Sequence, residues 1–562
     1  MRELIFGLIG GTALLMYSIE MMGDGLEKVS GPMMKKILGA LTGNALKSTF
    51  VGMLLTALVQ SSTAVTVLTV GFVNAGLMKF SQAVGIIYGA NIGTTITAQL
   101  MALSFSFKLT DVALPVLGAG FAIIYFSRRD HIKHLGSAIM GFGMMFYGLK
   151  ILNAGAPIMQ TSETLRFFFT HYASIPLVGV LLGIVATAMV HSSAATVALV
   201  MVLGTTGMID FPTAIYLTLG DNIGTCVTAQ IASMAGNISA RRTAWAHTLY
   251  NMVGVVLVFF FVPQYAALVK SVTFAYQPAA GMDILIANTH TIFNVASALI
   301  FLPFTKYFVR FLETVVKQKA GQDWDDDDDS KVMDRLLLNT PVAAVDAAKK
   351  VINISALRSK SMLEQTMVFI YEGKMSLLDE VNRSEQKLNA AQRNLTRYMV
   401  QLSKGSLTGI PPSIIPALIT CMNHVERTGD HARDLVELAQ IKVDRHLSFS
   451  DQALLDLKDL EKLVLDMYGF LAELLLNPKK TEENFLRLRD MEDAVDVKAK
   501  TLLDGHVLRL EEGLCTVEAG VYFMDIVNFL ERISDHIFKA AKDLRAGEAG
   551  IGKNAKPGSK LS

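Results

Sequence analysis

The sequence predicts an all-α protein in two parts. The first is a polytopic membrane unit, in which two inverted repeats each contain a re-entrant helical hairpin, and the second is a water-soluble helical unit. Three observations predict this fold class. The 562-residue chain is 51% hydrophobic, two polar clusters interrupt long apolar segments at one fixed spacing, and amphipathic helical periodicity replaces the apolar runs in the last part of the chain.

Apolar runs near the length that crosses a bilayer, roughly 20 residues, occupy the first half of the chain. They lie at 4–22, 83–103, 112–127, 135–153, 214–234, 244–263 and 284–304. Beyond Phe311 such runs stop. We therefore expect a membrane unit over 1–310, with repeats of about 1–130 and 133–263 and an extra helix at 284–304.

The two repeats are visible at an offset of 131 residues, where 60–99 aligns with 191–230 without a gap and fifteen of the forty positions are identical. Each copy has a Ser-Ser pair, then an Asn-Ile-Gly-Thr element and finally Thr-Ala-Gln. Chance similarity between apolar segments would not select these polar residues. The pattern therefore indicates an internal duplication.

Basic residues predict the orientation, since Lys and Arg collect in cytoplasmic loops. The residues that belong on the cytoplasmic side are Lys28, Lys35, Lys36, Arg128, Arg129, Lys133, Arg241, Arg242, Lys306 and Arg310. These assignments agree only if 50–78 and 177–208 each enter and leave the membrane on one face. The two hairpins then enter from opposite faces, and their polar clusters meet near the bilayer midplane.

Polar residues stand in the middle of both hairpins. Backbone that breaks a helix inside a membrane needs protein or water partners, so the clusters predict a hydrophilic cavity. Its hydroxyls and freed N–H groups favour an oxyanion, while neutral oxygens suit a small cation such as sodium. The predicted substrate- and ion-binding residues are Gln60, Ser61, Ser62, Thr63, Asn91, Thr94, Thr95, His191, Ser192, Ser193, Asp221, Asn222 and Thr225.

These features also have alternative interpretations. Ser and Thr in membrane helices allow close packing and interhelical hydrogen bonds. Asp221, where the first repeat has Ala90, binds a cation or a proton, or it lies near a helix end, where it caps the helix or faces water. His191 either titrates or is a neutral hydrogen-bonding group. The similar strings HTLYN and HTIFN, which begin at His247 and His290, predict interhelical bonding or cavity lining.

At these residues the chain resembles the type II sodium-phosphate cotransporter family, which carries Gln-Ser-Ser-Ser motifs in two inverted repeats, each followed by Asn-Ile-Gly-Thr. The first copy here is Gln-Ser-Ser-Thr at 60–63, and the second is His-Ser-Ser-Ala at 191–194. The resemblance covers roughly 1–310. It implies inorganic phosphate as the substrate, sodium as the driving ion and a multi-pass protein of the bacterial cytoplasmic membrane. The direction of transport and the number of sodium ions stay open.

The last part of the chain predicts a separate helical unit. The stretch 311–339 is hydrophilic and acidic, which indicates a solvated linker. Apolar residues then recur at three- and four-residue spacing, with breaks at 405–412 and 477–478. We expect the helical unit over 340–546 and a disordered tail over 547–562.

Two similar Glu-Arg-x-x-Asp-His strings occur in this unit. Their carboxylates lie one helical turn apart and are Glu426, Asp430, Glu531 and Asp535. They either hold a divalent or trivalent metal ion, with His431 or His536 nearby, or form an exposed face that neighbouring arginines neutralise. The unit is similar to the PhoU family of phosphate regulators, which implies two three-helix bundles with metal clusters.

Because the helical unit follows a cytoplasmic loop, we expect it in the cytoplasm, where it senses phosphate status or gates transport. An enzyme is not expected, since the chain has no nucleotide loop, nucleophile elbow or metalloprotease motif. The net charge of +1 argues against nucleic acid as a partner. Phosphate, sodium and membrane lipid are the expected partners, and homo-oligomer formation stays open. Two other functions also stay open. One is export of phosphate, or a transporter or channel for another small oxyanion, and the other is a membrane-bound phosphate sensor without transport.

Overall fold

A computed structural model describes residues 2–29, 44–106, 109–154, 162–234, 236–317, 332–405, 407, 409–477 and 481–553. The chain divides into two compact units, Met1–Trp324 and Asp325–Ser562. The boundary lies within the predicted linker. Lys35 and Lys36, residues 318–331 of the acidic stretch and residues 554–562 of the predicted tail lie outside the described residues. The secondary structure of the described residues is helical, as the sequence predicts.

The membrane unit contains two successive sets of helices that follow the sequence repeat. The first set is α1 (Arg2–Val29), α2 (Ala45–Val59), α3 (Ser62–Asn74), α4 (Phe80–Ser106) and α5 (Ala113–Phe126). The second set is α6 (Asp130–Ala154), α7 (Glu163–Phe168), α8 (Pro176–Val190), α9 (Ser193–Thr205), α10 (Phe211–Gly224), α11 (Cys226–Ser233) and α12 (Ile238–Phe259). Two further helices follow, α13 (Val262–Tyr276) and α14 (Met282–Val315).

Four described helices, α1, α4, α6 and α14, are long and apolar enough to cross a membrane. A fifth span results if α12 and α13, which meet at a bend of 92°, are taken together. Two other predicted spans, 112–127 and 214–234, are not single helices long enough to cross a membrane. The run 112–127 forms α5, whose 14 residues reach about 21 Å, short of a bilayer core of about 30 Å. The run 214–234 is divided at Thr225 into α10 and α11.

Glycines let the first half of each broken hairpin pack closely on the helix that carries the Asn-Ile-Gly-Thr element. A Cβ on Gly52 of α2 would overlap the backbone of Ile86 in α4, and a Cβ on Gly183 of α8 would overlap the backbone of Leu217 in α10. Gly52 and Gly183 stand at the repeat offset of 131 residues. The duplication therefore extends from sequence to backbone packing.

The second half of each hairpin packs against the other repeat. Helix α3 contacts α11 and α12, whereas α9 contacts α1, α4 and α6. One buried apolar cluster joins residues of both repeats, including Met101 of α4, Phe146 of α6 and Met201 of α9. This interleaving agrees with two hairpins that share one interior. The opposite insertion of the two repeats stays a prediction.

The C-terminal unit consists of two three-helix bundles, as the sequence predicts. The first contains α15 (Pro341–Glu372), α16 (Leu378–Ser403) and α17 (Ile414–Asp444), and the second contains α18 (Asp451–Leu476), α19 (Thr481–Glu511) and α20 (Val517–Lys553). Helix α16 shows why the bundles form. Its buried residues recur at three- and four-residue spacing and so make one apolar face; they are Val381, Leu388, Ala391, Leu395, Tyr398, Met399 and Leu402.

The two bundles join mainly through α17 and α20, which pack against each other along the unit. The predicted breaks fall between α16 and α17 and between α18 and α19, although Pro478 itself lies outside the described residues. Helix α20 continues to Lys553, past the start of the predicted tail.

Candidate functional site

Both polar clusters form the same break between two half-helices. Gln60 (φ 57°, ψ 21°) ends α2, and His191 (φ 56°, ψ 22°) ends α8. Among the described residues, three that are not glycine have a positive φ, and these are two of them. A left-handed conformation costs free energy in such residues and is concentrated at functional sites. The matching angles make the two breaks structural equivalents.

A serine caps the second half-helix at each break. Ser61 begins α3 and Ser192 begins α9, both from an extended conformation. The Oγ atom of each accepts a hydrogen bond of 3.2 Å from the amide three residues later. Helix geometry leaves the other first-turn N–H groups without an intrahelical acceptor. Each break therefore combines amide groups that favour an anion with hydroxyls that can donate to one.

Ser62 and Ser193 lie just inside α3 and α9 and are buried, with 5% and 7% of their surface exposed. Thr63 is half-buried beside Ser62, whereas Ala194 takes its place in the second repeat. The predicted hydroxyls of each cluster thus occupy one first turn. The second cluster has one hydroxyl fewer.

Two threonines that the sequence analysis missed hold the break residues in place. Thr97 Oγ1 of α4 donates to Gln60 Oε1 at 2.7 Å in a buried position. His191 Nδ1 lies 3.2 Å from Thr228 Oγ1 of α11. Thr97 and Thr228 belong to the Thr-Ala-Gln elements that both copies share. The repeat had already marked them, but nothing in the sequence indicated that they contact the breaks.

The first Asn-Ile-Gly-Thr element joins an interhelical network. Asn91 Nδ2 donates to Asn251 Oδ1 at 2.9 Å, and His247 Nε2 lies 3.4 Å from Asn91 Oδ1. The interhelical role predicted for the HTLYN string is confirmed at His247 and Asn251.

Other predicted residues bond within their own helices. Thr94 and Thr95 donate to the carbonyls of Ala90 and Ile92, at 3.2 and 2.7 Å. In the second repeat, Asn222 Nδ2 donates to Thr218 O at 2.9 Å, and Thr225 Oγ1 donates to Asn222 O at 2.7 Å. The hydroxyls are therefore satisfied locally in this structure.

Asp221 is fully buried, so the interpretation that it faces water is wrong. Thr187 Oγ1 of α8 donates to its Oδ1 at 2.8 Å. His290 Nε2 of α14 lies 3.8 Å from its Oδ2. Within the described ranges, Oδ2 has no hydrogen-bond partner. A buried carboxylate of this kind inside a membrane is costly and usually functional.

The four predicted metal ligands of the C-terminal unit fall into two acidic clusters, one in each bundle. Burial and the charge of Asp430 raise the pKa of Glu426, and burial and the charge of Glu385 in α16 raise the pKa of Asp430. Burial, Asp496 of α19 and Asp535 raise the pKa of Glu531. Among the described residues, no group of three or more His, Cys, Asp and Glu side chains has the geometry to hold a metal ion.

Three histidines lie between the two bundles, on α17 and α20. His424 Nδ1 is 3.0 Å from His536 Nδ1, and the ring of His431 stacks on that of His536 with centroids 5.4 Å apart. Burial and the two neighbouring imidazoles lower the pKa of His536 to about 4. Burial also lowers the pKa of His424 and of His431.

The fold and this duplicated break define a helical membrane protein of the transporter class that carries two helical bundles after its membrane unit. The chain belongs to the Na+/Pi-cotransporter family, whose model matches residues 14–154 and 159–285. The PhoU domain model matches residues 352–439 and 457–544, one match in each bundle. The family consists of transporters rather than enzymes.

Curated proteins are similar to the chain either over part of its length or over nearly its whole length. YqeW of Bacillus subtilis (strain 168) is 30% identical over 315 residues, which cover 56% of this chain and 99% of that protein. YjbB of Escherichia coli (strain K12), a protein named for inorganic phosphate export, is 24% identical over 533 residues and 94% of this chain, or 95% of its own length. Sodium-dependent phosphate transport protein 2A of Rattus norvegicus is 34% identical over 116 residues, 20% of this chain and 18% of that protein. No solved structure matches the chain significantly.

Proposed function

We propose that the protein is a sodium-coupled transporter of inorganic phosphate that works by alternating access in a bacterial cytoplasmic membrane. The observation that carries the proposal is the pair of equivalent breaks, each with a serine-capped helix N-terminus. The family supports phosphate as substrate. The similarity to a rat protein named for sodium-dependent phosphate transport supports sodium as the driving ion.

In this proposal phosphate binds between the first turns of α3 and α9. Free amide groups and hydroxyls would donate to its oxygens, from Ser61 and Ser62 in one repeat and from Ser192 and Ser193 in the other. The two hairpin segments, 50–78 and 177–208, contain no Lys or Arg. Neutral donors hold an anion less tightly than a fixed positive charge does, which favours release on the opposite face.

Sodium would bind near the C-terminal ends of α2 and α8, where the last carbonyls carry partial negative charge. The threonine and asparagine side chains of the Asn-Ile-Gly-Thr elements, with Gln60 and His191, would line the path that both ions share. Cations at these ends and an anion at the opposing N-termini would offset each other's charge. That compensation gives a physical reason for coupled movement of sodium and phosphate.

Export is the second candidate, and one comparison favours it. The protein named for phosphate export matches 94% of this chain, including both bundles. In either direction, we propose that the C-terminal unit lies in the cytoplasm and regulates transport according to phosphate or metal binding at its acidic clusters. The basic residues of the loops support this orientation.

The test is movement of labelled phosphate in proteoliposomes that contain the full chain, with a sodium gradient imposed in each direction. We expect flux that follows the sodium gradient and is lost in the double variant Ser61→Ala, Ser192→Ala. Replacing both serines with Asn keeps an N-cap acceptor but changes the donors offered to phosphate, so this variant should fold and still fail to transport.

Ser48→Ala is the matched control, because the buried Ser48 hydroxyl of α2 has no hydrogen-bond partner in the part of the chain that the structure describes. It should leave flux unchanged. Flux without dependence on sodium would reject the coupling. Full flux in the double alanine variant would reject the breaks as the phosphate site.

A further inference from the structure

Asp221 is connected to the second hairpin break by a row of hydroxyl groups. Its Oδ1 lies 2.8 Å from Thr187 Oγ1 on α8. Thr187 Oγ1 lies 2.9 Å from Thr196 Oγ1 on α9. Thr196 Oγ1 in turn lies 3.2 Å from the carbonyl oxygen of Ser192. The row begins at a fully buried carboxyl group and ends at the residue that caps α9.

Each hydroxyl in this row has one proton to donate, so the row can form two continuous patterns of hydrogen bonds. If Asp221 is ionised, Thr187 donates to it and Thr196 donates to Thr187. The Ser192 carbonyl then receives no hydroxyl proton. If Asp221 is protonated on Oδ1, the two side-chain bonds reverse and a third bond forms: Asp221 donates to Thr187, Thr187 to Thr196, and Thr196 to the Ser192 carbonyl. The heavy atoms need not move.

The first repeat lacks this row. At the repeat offset, Thr187 corresponds to Thr56, but Asp221 corresponds to Ala90 and Thr196 to Val65. Within the described residues, the Thr56 hydroxyl has no hydrogen-bond partner. The two repeats therefore differ at two of these positions. The first repeat has a single hydroxyl here, and the second has a continuous row.

Few titratable groups face Asp221 from the surrounding helices. His290 of α14 is the nearest, with its Nε2 3.8 Å from Oδ2, while α8 and α9 present the two threonine hydroxyls. The titratable groups of the other adjacent helices interact elsewhere. His247 of α12 faces Asn91, Cys226 of α11 donates to Asn222 O and His247 O, Tyr265 of α13 donates to Thr289 O, and Lys270 of α13 lies over the Phe211 ring.

We propose that Asp221 is a proton-binding site whose protonation state decides whether the Ser192 carbonyl is free to bind sodium. The proton comes from water at the break, where His191 is exposed, and returns there. With the carboxylate ionised, a lone pair of the Ser192 oxygen and a buried negative charge both favour a cation. With the carboxyl group neutral, the Thr196 hydroxyl donates to that lone pair and Asp221 carries no charge. Proton and sodium therefore exclude each other, and His290 tunes the exchange.

This inference rests on the proposed sodium-coupled function, but its first test does not require transport. The full chain is reconstituted in lipid, and the infrared carbonyl band of a buried carboxylic acid is followed as a function of pH, in sodium chloride and in choline chloride. We expect a band that grows at low pH, that sodium reduces and that Asp221→Asn removes. Thr196→Val should keep the band but weaken its response to sodium, because only the charge of Asp221 then links the two ions.

The second test is the sodium dependence of phosphate flux. In the natural protein, the sodium concentration for half-maximal flux should rise by up to about tenfold for each pH unit below the pH at which the infrared band is half-maximal. Thr196→Val places in the second repeat the residue found at position 65 of the first, and its half-maximal sodium concentration should change less per pH unit than that of the natural protein. Thr66→Val is the matched control, because Thr66 lies on α3 and, among the described residues, its buried hydroxyl has no partner.

The outcomes separate the two proposals. A band that responds to sodium in a protein without phosphate flux would support the proton site and reject the proposed transport. Sodium-driven flux with no band, or with a band that Asp221→Asn leaves in place, would overturn the proton site. An unchanged sodium response in Thr196→Val would overturn the role of the hydroxyl row.

Discussion

The close packing of α8 on α10 predicts a large effect for one added methyl group. A Cβ on Gly220 would overlap the Val180 carbonyl oxygen, and it would lie 2.9 Å from the Val180 carbonyl carbon and 3.0 Å from Gly183 Cα. Carbon and oxygen atoms of neighbouring helices normally approach to about 3.3 Å or more. In Gly220→Ala, α8 must therefore move away from α10 by about an ångström.

The cost follows from the nature of the atoms involved. Backbone atoms on both sides cannot rotate away as a side chain can, so we expect Gly220→Ala to destabilise the membrane unit by about 1–3 kcal/mol. The shift also displaces His191 at the end of α8. Phosphate flux should consequently fall more than the folded fraction does.

Gly118→Ala is the matched control. No atom of the described residues lies within 4 Å of the position that its Cβ would occupy. Alanine is the better helix former by about 1 kcal/mol, so this variant should be slightly stabilised. Thermal unfolding of the full chain in detergent, followed by circular dichroism, compares the two. A Gly220→Ala protein that melts at or above the temperature of Gly118→Ala would refute the packing argument.

Three further predictions concern the break, the histidines and the acidic clusters. Thr97→Val should lower the free energy of unfolding by about 1–3 kcal/mol, because it leaves the buried Gln60 oxygen unsatisfied. Thr228→Val should lower it by less, because its partner His191 is exposed. Equal thermal midpoints of the two variants in detergent would contradict this. The folded pKa of His536, about 4, lies below the unfolded value of about 6.5, so the unfolded state binds more protons and stability is lost as pH falls between these values. His536→Gln should flatten that dependence in calorimetry of the C-terminal transition, and an equally steep profile would count against it. Manganese should raise the midpoint of the same transition by neutralising the crowded carboxylates of both clusters, and Glu426→Gln should reduce the rise; a rise of the same size in the variant would place the ion elsewhere.

Much of the fold was accessible from sequence because its signals are local. Apolar length predicts α1, α4, α6 and α14, and the spacing of apolar residues predicts the bundles. A polar cluster in the middle of an apolar segment predicts each hairpin break. The short α5 and the divided α10 and α11 were not accessible, because their limits depend on packing between helices.

The sequence predicted the residue types of the candidate site but not the contacts between them. The repeat marked Ser61 and Ser192 directly, since both copies retain them. It could not show that Thr97 reaches Gln60, because the two lie on different helices of one repeat and their contact depends on the tertiary fold. The same limit applies to Thr187, which belongs to no motif and becomes informative only through its position beside Asp221.

The duplication gives both repeats the same backbone packing, while some side chains differ between them. The close glycine contacts and the serine caps occur in both repeats, because each hairpin needs them in order to break and pack inside a membrane. Side chains that do not support this frame are free to differ, and at one fully buried position the carboxyl group of Asp221 stands against the methyl group of Ala90. In the role proposed for Asp221, this buried carboxyl group makes the two halves unequal in their response to protons and cations. A transporter with two duplicated halves thereby gains a preferred ionic condition without any change in its fold.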